Sequence, residues 1–274
     1  MFEDDIQVVN IEVTSHCNLS CLYCSKNKFG YTRTPAHMDT ELFVQILEMF
    51  PKRVLLALYL SGEPLLHPSF CELVSLAKQK GFNNTRIHTN ATVLDTKLSE
   101  KLVDSGLRDI VFSIDGINAK DYERMRNFSF DKVKSNIKEF IDINQGEIKI
   151  GVQCLIPKGM PLRLNTDLED LSFDFSIIEY PHTWLNYQIP ESEPSSMRSI
   201  PCLFLSSYMA ISCEGDYLLC CCCLNKERVL GKFWNTSAKD IWENEMELIR
   251  HHQRNGYYVD TCSTCERYGI TKRG

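Results

Sequence analysis

His16-Cys17-Asn18-Leu19-Ser20-Cys21-Leu22-Tyr23-Cys24 sets three cysteines in a Cys-x3-Cys-x2-Cys spacing, directly after the apolar run Val8–Val13. A short apolar run of this kind predicts a buried strand. A strand that runs into a cysteine loop puts the loop at the mouth of an α/β fold, where functional residues collect. Iron–sulfur clusters are ordinarily held by four cysteines, so three thiolates would leave one iron open to an outside ligand. The competing readings are a zinc knot or three unrelated buried thiols. Zinc sites usually come as paired Cys-x2-Cys or Cys/His modules, which this stretch is not.

Outward from that loop, 274 residues with 43% hydrophobic and 24% charged content are enough for one large domain, or a large and a small one. The net charge of −6 comes without a basic block, so no nucleic-acid partner is expected. No stretch reaches the length of a membrane span. Met1-Phe2-Glu3-Asp4-Asp5 lacks the charged-then-apolar layout of a signal peptide, so a cytoplasmic location with no membrane partner is expected. In such a chain, thirteen cysteines point to metal or redox chemistry rather than disulfides.

Strand-like runs recur at Val8–Val13, Val54–Leu60, Thr85–Thr89, Asp109–Ile114, Ile148–Leu155 and Phe173–Tyr180. Helical patterns alternate with them near Asp39–Phe50, Ser69–Lys80, Asp95–Ser105 and Phe130–Asn144. Asp39 and Asp95 read as helix N-caps, and Gly81 and Gly106 as stops. Crossovers of this length suit parallel βαβ units, too few to close an eight-stranded barrel. Leu185–Pro201, with Gln188-Ile189-Pro190-Glu191-Ser192-Glu193-Pro194, has no periodicity and reads as a linker.

The strand ends carry further motifs. Ser61-Gly62-Glu63-Pro64 follows the second strand, Thr89-Asn90-Ala91 ends the third, and Ser113-Ile114-Asp115-Gly116 ends the fourth. With the cysteine loop, this pattern resembles the radical S-adenosylmethionine (radical SAM) enzymes. The resemblance implies an α/β fold, a partial (β/α)6 barrel over residues 1–184. It implies a [4Fe–4S] cluster on Cys17, Cys21 and Cys24, with SAM on the fourth iron. Tyr23 would lie near the adenine. Gly62 and Glu63 would meet the amino group, in a motif where Ser61 replaces the family's first glycine. Asn90 would approach the methionine and ribose, with Ala91 in place of a glycine. Ser113 would face SAM and Asp115 the barrel mouth. Arg124 and Arg126 read equally as a charged surface face or as substrate contacts. Gln153 is a polar candidate on the inner face, Cys154 and Cys71 read as packing residues, and Asp115, Glu179 and His182 are candidate acids or bases.

After the linker of residues 185–200 come Cys202, Cys220 behind Gly215, and a terminal Cys262-x2-Cys265 pair. Glu214-Gly215-Asp216 reads as a hairpin turn. The arrangement resembles the twitch form of the SPASM domain, and so implies a small α+β domain over residues 201–274. It would bind one auxiliary [4Fe–4S] cluster through Cys202, Cys220, Cys262 and Cys265, two clusters in all. A structural zinc on those four is the competing reading. Cys221 or Cys223 could replace Cys220, and Cys221, Cys222 or Cys223 could instead give a hydrogen atom to a substrate radical. Cys213 reads as structural.

The resemblance implies reductive cleavage of SAM and hydrogen abstraction from a C–H bond, driven by an electron donor such as flavodoxin or ferredoxin. The first strand begins near residue 8, which leaves no room for a peptide-binding domain before the barrel. A chain with one auxiliary cluster looks most like the enzymes that oxidise sugars or aminocyclitols in antibiotic biosynthesis, so a small-molecule polyol substrate is expected. Epimerisation, peptide maturation and a non-catalytic electron carrier are the alternatives.

Overall fold

In a computed structural model, residues 2–28, 30–181, 202–259, 262 and 265 are described. The linker of residues 185–200 and His182 lie outside the described residues. Among the described residues no helix is long and apolar enough to cross a membrane.

All six expected strands form: β1 (Val8–Ile11), β2 (Leu55–Ala57), β3 (Thr85–Thr89), β4 (Asp109–Ser113), β5 (Lys149–Leu155) and β6 (Phe175–Glu179). They pair in parallel in the order of the chain. The crossovers bury one stripe each against the sheet. Helix Thr40–Leu47 buries Leu42, Phe43, Ile46 and Leu47, spaced so that all four share a face. Its start is fixed by Asp39, whose side chain accepts from the N–H of Glu41 at 2.8 Å. Asp95 caps helix Thr96–Ser105 through the Leu98 N–H at 2.7 Å, and Gly106 ends it in the left-handed region at φ 85°. Helices Phe70–Gln79 and Phe130–Asn144 complete the expected set.

One further helix, Ala119–Arg126, carries the Arg124-Met125-Arg126 stretch. It is short and charged, and its apolar face reduces to Tyr122 and Met125, too little to show a period. Asn118 caps it by accepting from the Asp121 N–H at 2.9 Å.

The C-terminal strands do not form a sheet of their own. β7 (Tyr208–Ile211) lies parallel to β1, with Val8 opposite Tyr208, and β8 (Asp216–Leu218) and β9 (Val229–Lys232) follow antiparallel. The result is one nine-stranded sheet in the order β6-β5-β4-β3-β2-β1-β7-β8-β9. Glu214-Gly215 makes the β7–β8 turn, with Gly215 at φ 82°. The helical segment from Ala238 swells into a π turn at Ile241–Glu245 before helix Met246–Arg254. Buried Arg250 donates to the carbonyls of Leu205 at 2.8 Å and Trp242 at 2.6 Å, tying that helix to helix Leu203–Ser207.

Candidate active site

The cysteine loop leaves β1 and is held from three sides. Leu22 N–H donates to the Met125 carbonyl at 2.7 Å, and Glu63 N–H donates to the His16 carbonyl at 2.7 Å. Asn90 Nδ2 donates to Asn18 Oδ1 at 3.0 Å, while Asn18 Nδ2 donates to Thr92 Oγ1 at 2.8 Å. Burial pushes the Cys17 thiol up and the Cys21 thiol up to about 11, and the charge of Cys24 adds to both. Lys26 opposes this at Cys17, and Arg126 opposes it at Cys21. Three mutually repelling sulfurs beside two cations form a donor set that a metal cluster satisfies, because metal ligation requires the thiolate form. The three residues therefore fit the expected cluster.

Glu63 is buried, its Oε1 accepting from Thr89 Oγ1 at 2.6 Å and its Oε2 from the Asn90 N–H at 2.7 Å. Burial raises its carboxyl, against those donors and the charge of Arg126. Ser113 and Asp115 are buried and Tyr23 is half-buried. Asp115 Oδ2 accepts from Arg126 Nε at 2.7 Å and its Oδ1 from the Leu155 N–H at 3.1 Å, so both oxygens of this expected acid or base are engaged.

Below the mouth, the parallel register aligns Ala57 with Arg86, His88 with Val111, Ser113 with Gln153, and Leu155 with Glu179. Residues in register share a face, and alternate residues along each strand do too. Tyr59, Arg86, His88, Gln153 and Glu179 therefore stand on one side of the sheet. His88 stacks on Tyr59 at 4.2 Å, its Nδ1 lies 3.0 Å from Gln153 Oε1, and Gln153 Nε2 donates to Glu179 Oε1 at 2.7 Å. Gln153 and Glu179 were legible in the sequence; His88 and Tyr59 were not. The alternation of Thr85-Arg86-Ile87-His88-Thr89 is the signal that would have set Arg86 and His88 together opposite Ile87.

A buried ion pair joins the two cysteine regions. Glu12 is fully buried and meets Arg33 at 2.5 Å, while Arg33 also reaches Glu214 at 2.7 Å and the Leu224 carbonyl at 3.0 Å. The Cys213 N–H donates to Glu12 at 3.0 Å, and burial pushes the Cys213 thiol up to about 12, consistent with a structural residue. Neither Glu12 nor Arg33 stands in a recognisable motif.

Cys202 precedes helix Leu203–Ser207, and its N–H donates to Gln253 Oε1 at 2.9 Å. That bond fixes the orientation of the Gln253 amide and leaves Nε2 buried with no hydrogen-bond partner among the described residues. An orphaned donor beside a cysteine suits a sulfur-rich group there. Burial raises the Cys202 thiol, and the charges of Cys265 and Cys221 add to it, so these sulfurs are neighbours. The Cys220 thiol is drawn down by Cys222 but ends well above its ordinary value through Cys223 and burial. Within the run, the charge of Cys221 acts on Cys202. Cys262 is half-buried against the core, Cys222 is buried, and Cys223 is 0% exposed.

Comparison with known proteins agrees with this geometry. The chain matches the model of the radical SAM superfamily over residues 11–159 and that of an iron–sulfur cluster-binding domain, SPASM, over residues 202–266. It is 24% identical to the tungsten-containing aldehyde ferredoxin oxidoreductase cofactor-modifying protein of Pyrococcus furiosus, over 93% of this chain and 86% of that protein. It is 31% identical to the GTP 3′,8-cyclase of Chlorobaculum tepidum over 56% of this chain, and spans 47% of that relative's length. The solved structure of BtrN in complex with AdoMet and 2-DOIA matches with a TM-score of 0.66 at 18% identity, covering 95% of this chain and 93% of BtrN, a likeness of fold. With one model covering the cysteine loop and the strands through β5 and the other the C-terminal cysteines, this chain belongs to the radical SAM superfamily, an enzyme with [4Fe–4S] clusters and SAM as cofactors.

Proposed function

We propose that the enzyme oxidises an alcohol carbon of a small sugar, polyol or aminocyclitol by two electrons. The division proposed is a barrel over residues 1–184, a linker over 185–200 and an auxiliary-cluster domain over 201–274. Cys17, Cys21 and Cys24 would hold the SAM-binding cluster, with Tyr23, Gly62, Glu63, Asn90 and Ser113 around SAM. Cys202, Cys262 and Cys265, with Cys220 or Cys221, would hold the second. When bound and reduced, the cofactors supply a 5′-deoxyadenosyl radical that takes a hydrogen atom from a C–H bond. The chain's own residues orient the substrate beneath the mouth, exclude water and take the hydroxyl proton. The candidate bases are Asp115, which accepts from Arg126 and the Leu155 N–H, and Glu179, which accepts from Gln153; His182 lies outside the described residues. The remaining electron needs an acceptor, the part proposed for the second cysteine set. A donor of flavodoxin or ferredoxin type would prime the cycle.

The observation that carries oxidation over epimerisation is the burial of Cys222 and Cys223; Cys221, half-buried, is counted among the candidate cluster ligands. Cys223 at 0% exposure and Cys222 at 5% pack into the core, where a thiol cannot meet a substrate radical. Turnover in deuterated water with a panel of polyols tests the reading. A ketone is expected, retained in Cys222→Ala and Cys223→Ala. An epimer carrying solvent deuterium at carbon, lost in one of those variants, would overturn it.

A further inference from the structure

His88 belongs to neither cysteine motif nor any strand-end motif, yet it stands in the middle of the inner face. Its protonation can be read from its neighbours. Gln153 donates through Nε2 to Glu179 at 2.7 Å, so the other end of the amide, Oε1, faces His88. An amide oxygen only accepts, so His88 Nδ1, 3.0 Å away, must carry the proton. The neutral ring then has its lone pair on Nε2, which has no hydrogen-bond partner among the described residues. Burial pushes the ring's pKa down to about 4, with Arg86 and Arg126 acting the same way and Gln153 and Glu179 against it. The stack on Tyr59 fixes the ring plane.

The same face shows what such an acceptor meets. Arg86 is paired with Asp109 at 2.6 Å and Arg126 with Asp115 at 2.7 Å. Each cation's charge is balanced by a carboxylate, and Glu179 adds negative charge on the same face. A neutral acceptor beside neutralised cations selects a donor group on an uncharged ligand, and an aromatic ring beside it suits the C–H face of a ring.

We propose that His88 Nε2 is the acceptor by which this enzyme recognises a hydroxyl group of a neutral polyol, with Gln153 and Glu179 as the positioning residues that keep the lone pair on Nε2. The inference rests on the polyol reading above for the class of ligand, but not on the outcome of the radical step.

Nitrogen-15 NMR of histidine-labelled holoenzyme, with its clusters oxidised, reads the tautomer directly. The Nδ1–H form is expected at neutral pH in the wild type, a measurement that needs no variant. Gln153→Leu should move the proton to Nε2 and weaken polyol binding about tenfold, the worth of one good hydrogen bond. Titration with myo-inositol or glucose should shift the Nε2 resonance upfield, whereas GTP or glucose 6-phosphate should not. An Nε2–H tautomer in the wild type, a shift caused only by the phosphates, or no shift with any neutral polyol overturns the proposal. A shift with polyol but an epimer instead of a ketone as product would leave this recognition standing and sink oxidation alone.

Discussion

At Gly62 the Cβ of any other residue would lie 2.3 Å from the Thr14 carbonyl oxygen and 2.6 Å from that of His16. Both oxygens are backbone, so neither can swing away, and the approach is what lets the turn after β2 clasp the cysteine loop. Gly62→Ala is therefore expected to destabilise the protein by about 1–3 kcal/mol, the range for overpacking, and to lower its iron content. A thermal melt and iron assay identical to wild type would show that the loop can shift. The motif made Gly62 and Glu63 legible in the sequence, but not their partners. Glu63 is spent on Thr89, Asn90 and Leu65, a use that needs the third strand in place. Ala91, which stands where the family has a glycine, occupies at φ 58° the left-handed conformation that a glycine there would adopt without strain.

Among the elements, the six barrel strands and four crossover helices were legible because each alternates or repeats over enough residues to declare its period. The charged helix Ala119–Arg126 and the place of β7 were not. Nothing local tells a strand at residue 208 that its partner is at residue 8. The tie formed by Arg33 and Glu12 was equally hidden, since it joins a strand end, a loop and a hairpin turn. Burial would raise the Glu12 carboxyl, but hydrogen bonding and charge from Arg33, with Ser61 and the Cys213 N–H, hold it below the ordinary range. A depressed folded pKa contributes stability that is present above the unfolded pKa and lost as pH falls through the folded one. Arg33→Met leaves Glu12 buried without its partner and is expected to cost about 3–5 kcal/mol. Glu12→Gln with Arg33→Met should recover much of that, because the amide can still accept from Cys213. The double variant should also lose less stability than wild type as pH falls below the ordinary carboxylate range. Circular dichroism melts of the two proteins prepared side by side check this, and equal acid sensitivity would assign the pH dependence elsewhere.

For the whole molecule, the two cysteine sets predict two separable metal contents. Changing Cys17, Cys21 and Cys24 together to Ala should remove about four irons per chain and all SAM cleavage. The auxiliary site should remain loaded, read as a persisting iron–sulfur absorbance and signal. Zinc in place of iron in the anaerobically reconstituted variant would make the C-terminal site structural. Cys221→Ala against Cys220→Ala in that background then shows which of the two is a ligand. Sequence could name the run but not choose within it, because the choice depends on which thiol the chain turns toward Cys202.

The pairing of β7 with β1 has a consequence for how the protein is made. Val8 meets Tyr208, a partner 200 positions later in the chain. At ordinary rates of synthesis, about 5–20 residues per second, β1 waits about 10–40 s for its second neighbour. Throughout that interval one side of β1 presents a bare row of amide and carbonyl groups, the kind of edge that recruits another strand. The nascent barrel is therefore most exposed to self-association just before the C-terminal cysteines emerge. Arrival of β7 closes that edge and, by the same act, carries the second set of thiols into position. A ribosome-bound chain stalled before residue 202 should cross-link to its copies, and one released after β7 should not.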